Sequence, residues 1–119
     1  MILNKSSTTK VNILGTEWSI QVVPMGKRFE DRSCEAYCDN SIKTVFIGLR
    51  EHEPDDVDDL ICIRKQYVRH ELIHAFFYES GLNECSMKYQ GSWARNEEMV
   101  DWMAIHFHKI EKVFKELRI

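Results

Sequence analysis

The densest chemistry in this chain is five residues long. His70-Glu71-Leu72-Ile73-His74 sets two imidazoles four positions apart, with a carboxylate directly after the first. On a helix that spacing stacks both rings on one face, one turn apart. Two neutral imidazoles so placed can share one zinc ion, Zn2+. Glu71 would then project beside the metal, where it can take a proton from zinc-bound water and later deliver it to a leaving amine. With 5 His and 12 Glu among 119 residues, a chance occurrence of the pattern is expected only about 0.02 times per chain. Two unrelated surface histidines are therefore the weaker reading. The surrounding Leu72-Ile73-His74-Ala75-Phe76-Phe77 is strongly apolar, so the polar side chains within it are expected to be buried and in need of partners.

Two histidines make an incomplete site. Downstream stands Asn96-Glu97-Glu98-Met99-Val100-Asp101. Glu97 and Asp101 are i and i+4, hence on one helical face. Glu97 could complete a His₂Glu ligand set. Asp101, one turn on, could accept the second ring N–H of a ligand histidine and so fix its tautomer and orientation. Taken alone, the run reads as a solvated acidic helix start; beside HExxH it reads as metal chemistry.

These residues carry a resemblance. HExxH followed by NExxxD resembles the gluzincin pattern of thermolysin-like peptidases, although the chain is far shorter than those enzymes. Glu97-Glu98-Met99-Val100-Asp101-Trp102-Met103-Ala104 is similar to the ExxAN-x-FA stretch of the ImmA/IrrE-like group, small zinc peptidases common in phages. Glu97 matches the ligand and Ala104 the final Ala; Val100, Asp101 and Met103 stand where that group has Ala, Asn and Phe. The metzincin extension is absent, because Phe77 and Ser80 occupy its Gly and His positions. Glu35-Ala36-Tyr37-Cys38 does not match the cysteine-ligand motif of peptide deformylases. A SprT-like third histidine would have to be His106 or His108, and both read better as surface or satisfied residues. The resemblance implies a minimal zincin-like fold, a metallopeptidase with Glu71 as its catalytic base, and a protein or peptide substrate, a transcriptional repressor among the candidates; composition points to a cytoplasmic domain. It also implies an edge strand that holds the peptide, here Lys43–Leu49 or its hairpin partner. The competing class is a non-catalytic, zinc-stabilised protein-binding module. A retained Glu71 favours the enzyme, since a structural site needs only ligands. Tyr67, Arg69, Tyr78, Tyr89 and His106 are all conceivable as oxyanion donors.

The elements that must position this chemistry follow from patterning. Glu17–Val22 alternates polar and apolar, as a half-buried strand does. Leu14-Gly15-Thr16 is the turn from a partner strand at Val11–Ile13. Asp39-Asn40-Ser41 separates Glu35–Cys38 from Lys43–Leu49, a second hairpin. Thr44-Val45-Phe46-Ile47 is apolar on both faces, which predicts a strand covered on both sides. Glu51–Asp59, acidic and containing Pro54, suits a first helical turn. The helical pattern then runs through Leu60, Ile63, Tyr67, Ile73 and Phe77 to a cap at Gly81. After a polar connection over 82–92, a second helix is expected from about Trp93 or Asn96 towards the C-terminus. The predicted fold is α+β, a small antiparallel sheet packed on an HExxH helix and a C-terminal ligand helix, in one domain over 1–119.

Composition bounds the rest. A net charge of −3 and a pI near 5.9 argue against a nucleic-acid partner. No apolar run is long enough to span a bilayer, and the first ten residues lack a secretory pattern. Cys34, Cys38, Cys62 and Cys85 have no metal-knuckle spacing and read as free, mostly buried thiols.

Overall fold

The structure, a computed structural model, describes residues 1–85 and 97–119, the side chains at positions 84, 85, 97, 100, 101 and 104 excepted. Strands β1 (Ser7–Ile13) and β2 (Thr16–Pro24) form an antiparallel hairpin in which Val11 faces Trp18 and Ile13 faces Thr16. Leu14 and Gly15 both have positive φ, 51° and 99°, as a two-residue hairpin turn matched to strand twist requires. The Gly15 N–H donates to Asn12 Oδ1 at 3.0 Å and closes the turn.

A single helical turn, α1 (Lys27–Glu30), then leads to β3 (Ala36–Asp39) and β4 (Thr44–Leu49). These two pair antiparallel across a turn in which the Asp39 carboxylate accepts from the N–H and hydroxyl of Ser41. The strand order is β1-β2-β4-β3, and β2 pairs with β4 in parallel, Ile20 beside Val45 and Val22 beside Ile47. The sheet is therefore mixed, which corrects the expectation of an antiparallel one. After Pro24, α1 and β3 carry the chain past one strand width, so β4 returns inside β3 and runs in the direction of β2. β4, like β2, is an interior strand, buried from Thr44 to Gly48, in agreement with its two-faced apolar pattern. Gly48 is required there: a Cβ would collide with the Met25 sulfur and press on the Glu35 carbonyl.

One sheet face presents Trp18, Ile20, Val22, Val45 and Ile47 to the main core, all fully buried. Each such side chain contributes roughly 1.5–3 kcal/mol on leaving water. The other face is covered near β3 by Phe29 of α1, edge-on to Tyr37, which stacks on Phe46. Arg28 and Arg32 lie over the Phe46 and Tyr37 rings.

Helix α2 (Leu60–Glu79) packs against β3 and β4 through Val68, Leu72, Ala75 and Phe76, a stripe at helical spacing. It begins at Leu60, not in the acidic run. Asp59 is its N-cap, accepting from Cys62 N–H at 3.0 Å, the role an aspartate fills well. Pro54 lies in the loop before it. That loop is folded by Arg50, which pairs with Glu35 and Asp56, while Asp56 also accepts from the Glu53 N–H. The buried Arg64 reaches the carbonyls of Leu3 and Arg50. At the other end Ser80 caps the helix and Gly81, at φ +77°, turns the chain, as read from the sequence. A further helical turn, α3 (Leu82–Cys85), opens the connection expected to be irregular. Helix α4 (Glu97–Leu117) buries Trp102, Ile110, Val113 and Leu117 in the core. Trp93 and Asn96, the alternative helix starts, lie outside the described residues. Among the described residues, no helix is long and apolar enough to cross a membrane.

Candidate metal centre

Helix α2 does what the HExxH spacing demands. His70 and His74 project side by side, their Nε2 atoms 3.1 Å apart and their rings 4.9 Å apart between centroids. The two nitrogens stand at N–H···N hydrogen-bond distance, and two ligands on a tetrahedral zinc with ordinary Zn–N bonds stand ~3.3 Å apart, so the same spacing also suits a shared cation. Both histidines are exposed, which corrects the expectation that the apolar segment buries them. The stripe Val68-Leu72-Ala75-Phe76 takes the core side and leaves 70 and 74 outward. Partial burial of its ring, and then the neighbouring His70 charge, push the His74 pKa down. That favours the neutral imidazole a metal ligand needs.

Glu71 is the buried member, 8% exposed. Its carboxylate accepts a hydrogen bond from the Cys38 N–H of β3. The geometry of that bond follows from the sheet. Gly48 N–H donates to the Glu35 carbonyl at 2.8 Å. The antiparallel register therefore turns the backbone groups of Tyr37 and Asp39 towards β4 and those of Ala36 and Cys38 out of the sheet edge. Burial pushes the Glu71 carboxyl above its ordinary value, against the His70 charge and the Cys38 N–H, which pull it down. A carboxyl shifted upward holds a proton more readily than a free one, the direction a proton-transfer group needs.

A cleft of ≈ 280 Å³ runs between β3 and α2, with Glu35, Ala36, Gln66, Tyr67, His70 and Glu71 on its walls. Of the five conceivable oxyanion donors, Tyr67 lies here. Its hydroxyl donates to Glu35, and burial followed by the Glu35 charge raises its pKa. His106 belongs elsewhere: it stacks on Trp102 with centroids 4.5 Å apart and its Nδ1 lies 2.9 Å from the Trp102 carbonyl. Arg69 and Tyr78 do not line this cleft, and Tyr89 lies outside the described residues. Cys38 is no ready thiolate ligand, because burial, then the charges of Glu71 and Asp39, push its thiol up to about 12 against the pull of Lys43. Cys34, Cys38 and Cys62 are free thiols, but Cys34 and Cys38 are only half-buried and Cys62 is exposed, which corrects the expectation of mostly buried ones; the Cys85 side chain is outside the description.

The side chains of Glu97 and Asp101 also lie outside the described residues. Among the described residues, no group of three His, Cys, Asp or Glu side chains gathers to hold a metal. What the structure does show is how α4 is attached. Trp102 donates from Nε1 to Ser80 Oγ at 2.9 Å and stands edge-on to Phe77, one turn beyond His74.

One anchor escaped the sequence reading. Glu79, the last residue of α2, accepts from Thr16 Oγ1 at 2.8 Å and Trp18 Nε1 at 2.9 Å and pairs with Lys43 at 2.8 Å. Burial would raise its pKa, but these three partners outweigh burial and hold the carboxyl below its ordinary value. The buried indole N–H of Trp18, which needs an acceptor, was the available signal.

No protein-family profile, curated protein or solved structure matches this chain.

Proposed function

We propose that this protein is a zinc-dependent metallopeptidase of minimal zincin-like fold, with His70, His74 and Glu97 as ligands, Asp101 supporting a ligand imidazole and Glu71 as catalytic base. The observation that carries the reading is the pairing of two exposed imidazoles, Nε2 atoms 3.1 Å apart, with a buried carboxylate between them in sequence. The donor set fits zinc: two imidazole nitrogens at tetrahedral spacing, open to the solvent side, where a catalytic site keeps a free position. Zinc, when bound, supplies Lewis acidity towards a peptide carbonyl and makes a nearby water more acidic.

The chain's own residues supply the rest. Glu71, fixed by the Cys38 N–H, accepts a proton from water in the cleft and returns it to the leaving amine. The edge of β3 leaves the Ala36 N–H and carbonyl and the Cys38 carbonyl facing outward, acceptors and a donor for an extended peptide added as a further strand. β3, not the interior β4, is thus the strand fitted to this role. Tyr67, whose one O–H donates to Glu35, would polarise a bound carbonyl only by exchanging that partner for it. The substrate is a protein or peptide; a transcriptional repressor is the candidate the resemblance supplies.

The test is elemental analysis of the purified protein followed by cleavage of a peptide library, with chelator and zinc re-addition. One zinc per chain and chelator-reversible cleavage are expected. Absence of zinc at stoichiometric supply refutes the metal site. Bound zinc without turnover refutes the enzyme and leaves the zinc-stabilised binding module.

A further inference from the structure

Away from the histidine pair, a concavity of ≈ 740 Å³ lies between α4 and the β1–β2 turn. Phe76 and Val113, both buried, form its apolar floor, while His106, Lys109, Lys112 and Leu14 stand around it. Its charge is opposite to that of the chain. The protein carries −3 overall, yet this wall has two lysines against one carboxylate, Glu116. Lys112 and Glu116 approach only to 4.0 Å with both side chains largely exposed, a pair of little worth. Among the described residues Lys109 makes no ion pair with a carboxylate. A concave, partly apolar wall concentrates such a positive field.

His106 adds a directed group. Its Nδ1 faces the Trp102 carbonyl, which only accepts, so Nδ1 carries the proton and Nε2 is the free atom. It accepts from a ligand hydroxyl when the ring is neutral and donates to an anion when the ring is charged.

The second, independent observation is Leu14. It occupies a left-handed backbone position, φ 51°, where glycine or asparagine fits at lower cost. It is also a large apolar side chain left 37% exposed at the mouth of this cleft. Neither turn geometry nor core packing accounts for leucine here. An apolar ligand surface lying against it would account for both.

We propose that this cleft binds a small organic anion, its carboxylate or phosphate held by Lys109 and Lys112 and its apolar body lying on Leu14, Phe76 and Val113. The test is amide-resonance titration of the full chain with phenyl phosphate, 3-phenylpropionate and inorganic phosphate to about 10 mM, the range that detects millimolar affinity. Saturable shifts confined to the cleft lining, residues 12–15, 75–77 and 105–116, are expected. The two aromatic anions distinguish a phosphate from a carboxylate ligand, and phenyl phosphate should bind at least about fivefold more tightly than inorganic phosphate. Changing both lysines, Lys109→Gln with Lys112→Gln, should weaken every probe roughly tenfold. Leu14→Asn should keep or raise the melting temperature, since asparagine suits the turn, while weakening phenyl phosphate by roughly three- to fivefold and sparing inorganic phosphate. Absence of saturation, shifts elsewhere on the protein, or affinities unmoved in both variants would overturn the proposal.

Discussion

Glu71→Gln separates proton transfer from architecture at one atom. Glutamine keeps the side-chain length and an oxygen acceptor, so the hydrogen bond from Cys38 N–H survives, and with it the roughly 0.5–1.5 kcal/mol such a bond contributes. The charge is what disappears. In the folded protein, burial raises the Glu71 pKa above its unfolded value, so the native state holds its proton to higher pH than the unfolded chain. Stability attributable to this group is therefore greatest below the unfolded value near 4.5 and falls as pH rises through the folded pKa. At pH 7, above the unfolded value, keeping this carboxyl buried costs stability, and the glutamine variant escapes that cost. Glu71→Gln should then melt at or above the wild-type temperature at pH 7, with the gap closing below about pH 4.5. Peptide cleavage should fall by about 10²–10⁴, the range for loss of a general acid–base group. Zinc content should stay near one per chain. Glu71→Leu is the control: it removes the acceptor from Cys38 N–H and should cost about 1–3 kcal/mol. Melting curves at several pH values, elemental analysis and kcat/KM on one peptide decide the matter. A glutamine variant with wild-type cleavage refutes the base assignment, and one that loses zinc makes Glu71 a ligand or a structural support.

Three further outcomes follow from other parts of the molecule. Asp101→Asn should weaken zinc affinity or activity by roughly 10–100-fold, the usual cost of losing a ligand's supporting carboxylate; a zinc titration showing no change makes Asp101 a surface residue, and loss as complete as in His70→Ala makes it a ligand. Arg50 and the Glu53 N–H hold the Asp56 carboxyl down to about 2 from its ordinary 3.8, so Asp56 contributes stability above pH 3.8 that fades as pH falls towards 2. Acid titration of the melting temperature should show that loss in the wild type and a flatter profile in Asp56→Asn. Glu79→Ala strips acceptors from Thr16, Trp18 and Lys43 at once and should cost about 2–3 kcal/mol in denaturant unfolding; a cost below 0.5 kcal/mol would mean water replaces the carboxylate without loss.

The parts of this fold legible in the sequence are those set by neighbours along the chain. The Leu14-Gly15 turn, the Asp39–Ser41 turn and the stop at Gly81 each depend on a few adjacent residues, and the structure has all three. The parallel pairing of β2 with β4 depends on where a whole hairpin returns, which no local pattern states. The double-faced apolar run of β4 was the one clue, because an interior strand needs cover on both faces. Pro54 and its surrounding carboxylates carry a true local signal for a helix start. That signal lost to the Arg50–Asp56 pair and to Asp59, a better cap directly before Leu60.

The candidate site divides along the same line. That His70 and His74 meet is helix periodicity, and the structure brings their nitrogens to 3.1 Å. Which members are buried is not periodicity. It depends on the azimuth at which α2 meets the sheet, and that azimuth sinks Glu71 against β3 while leaving the histidines outside. The sequence argument that an apolar neighbourhood buries the imidazoles counted residues along the chain, whereas burial follows the stripe Val68-Leu72-Ala75-Phe76. The consequence favours the proposed chemistry. Exposed imidazoles would leave a metal held there open to water and to an extended peptide. A buried carboxyl tied to the edge-strand N–H couples the base to the strand that would receive that peptide. Substrate addition to β3 and the orientation of Glu71 thus depend on the same backbone at Cys38, a link that neither HExxH nor the strand pattern contains by itself.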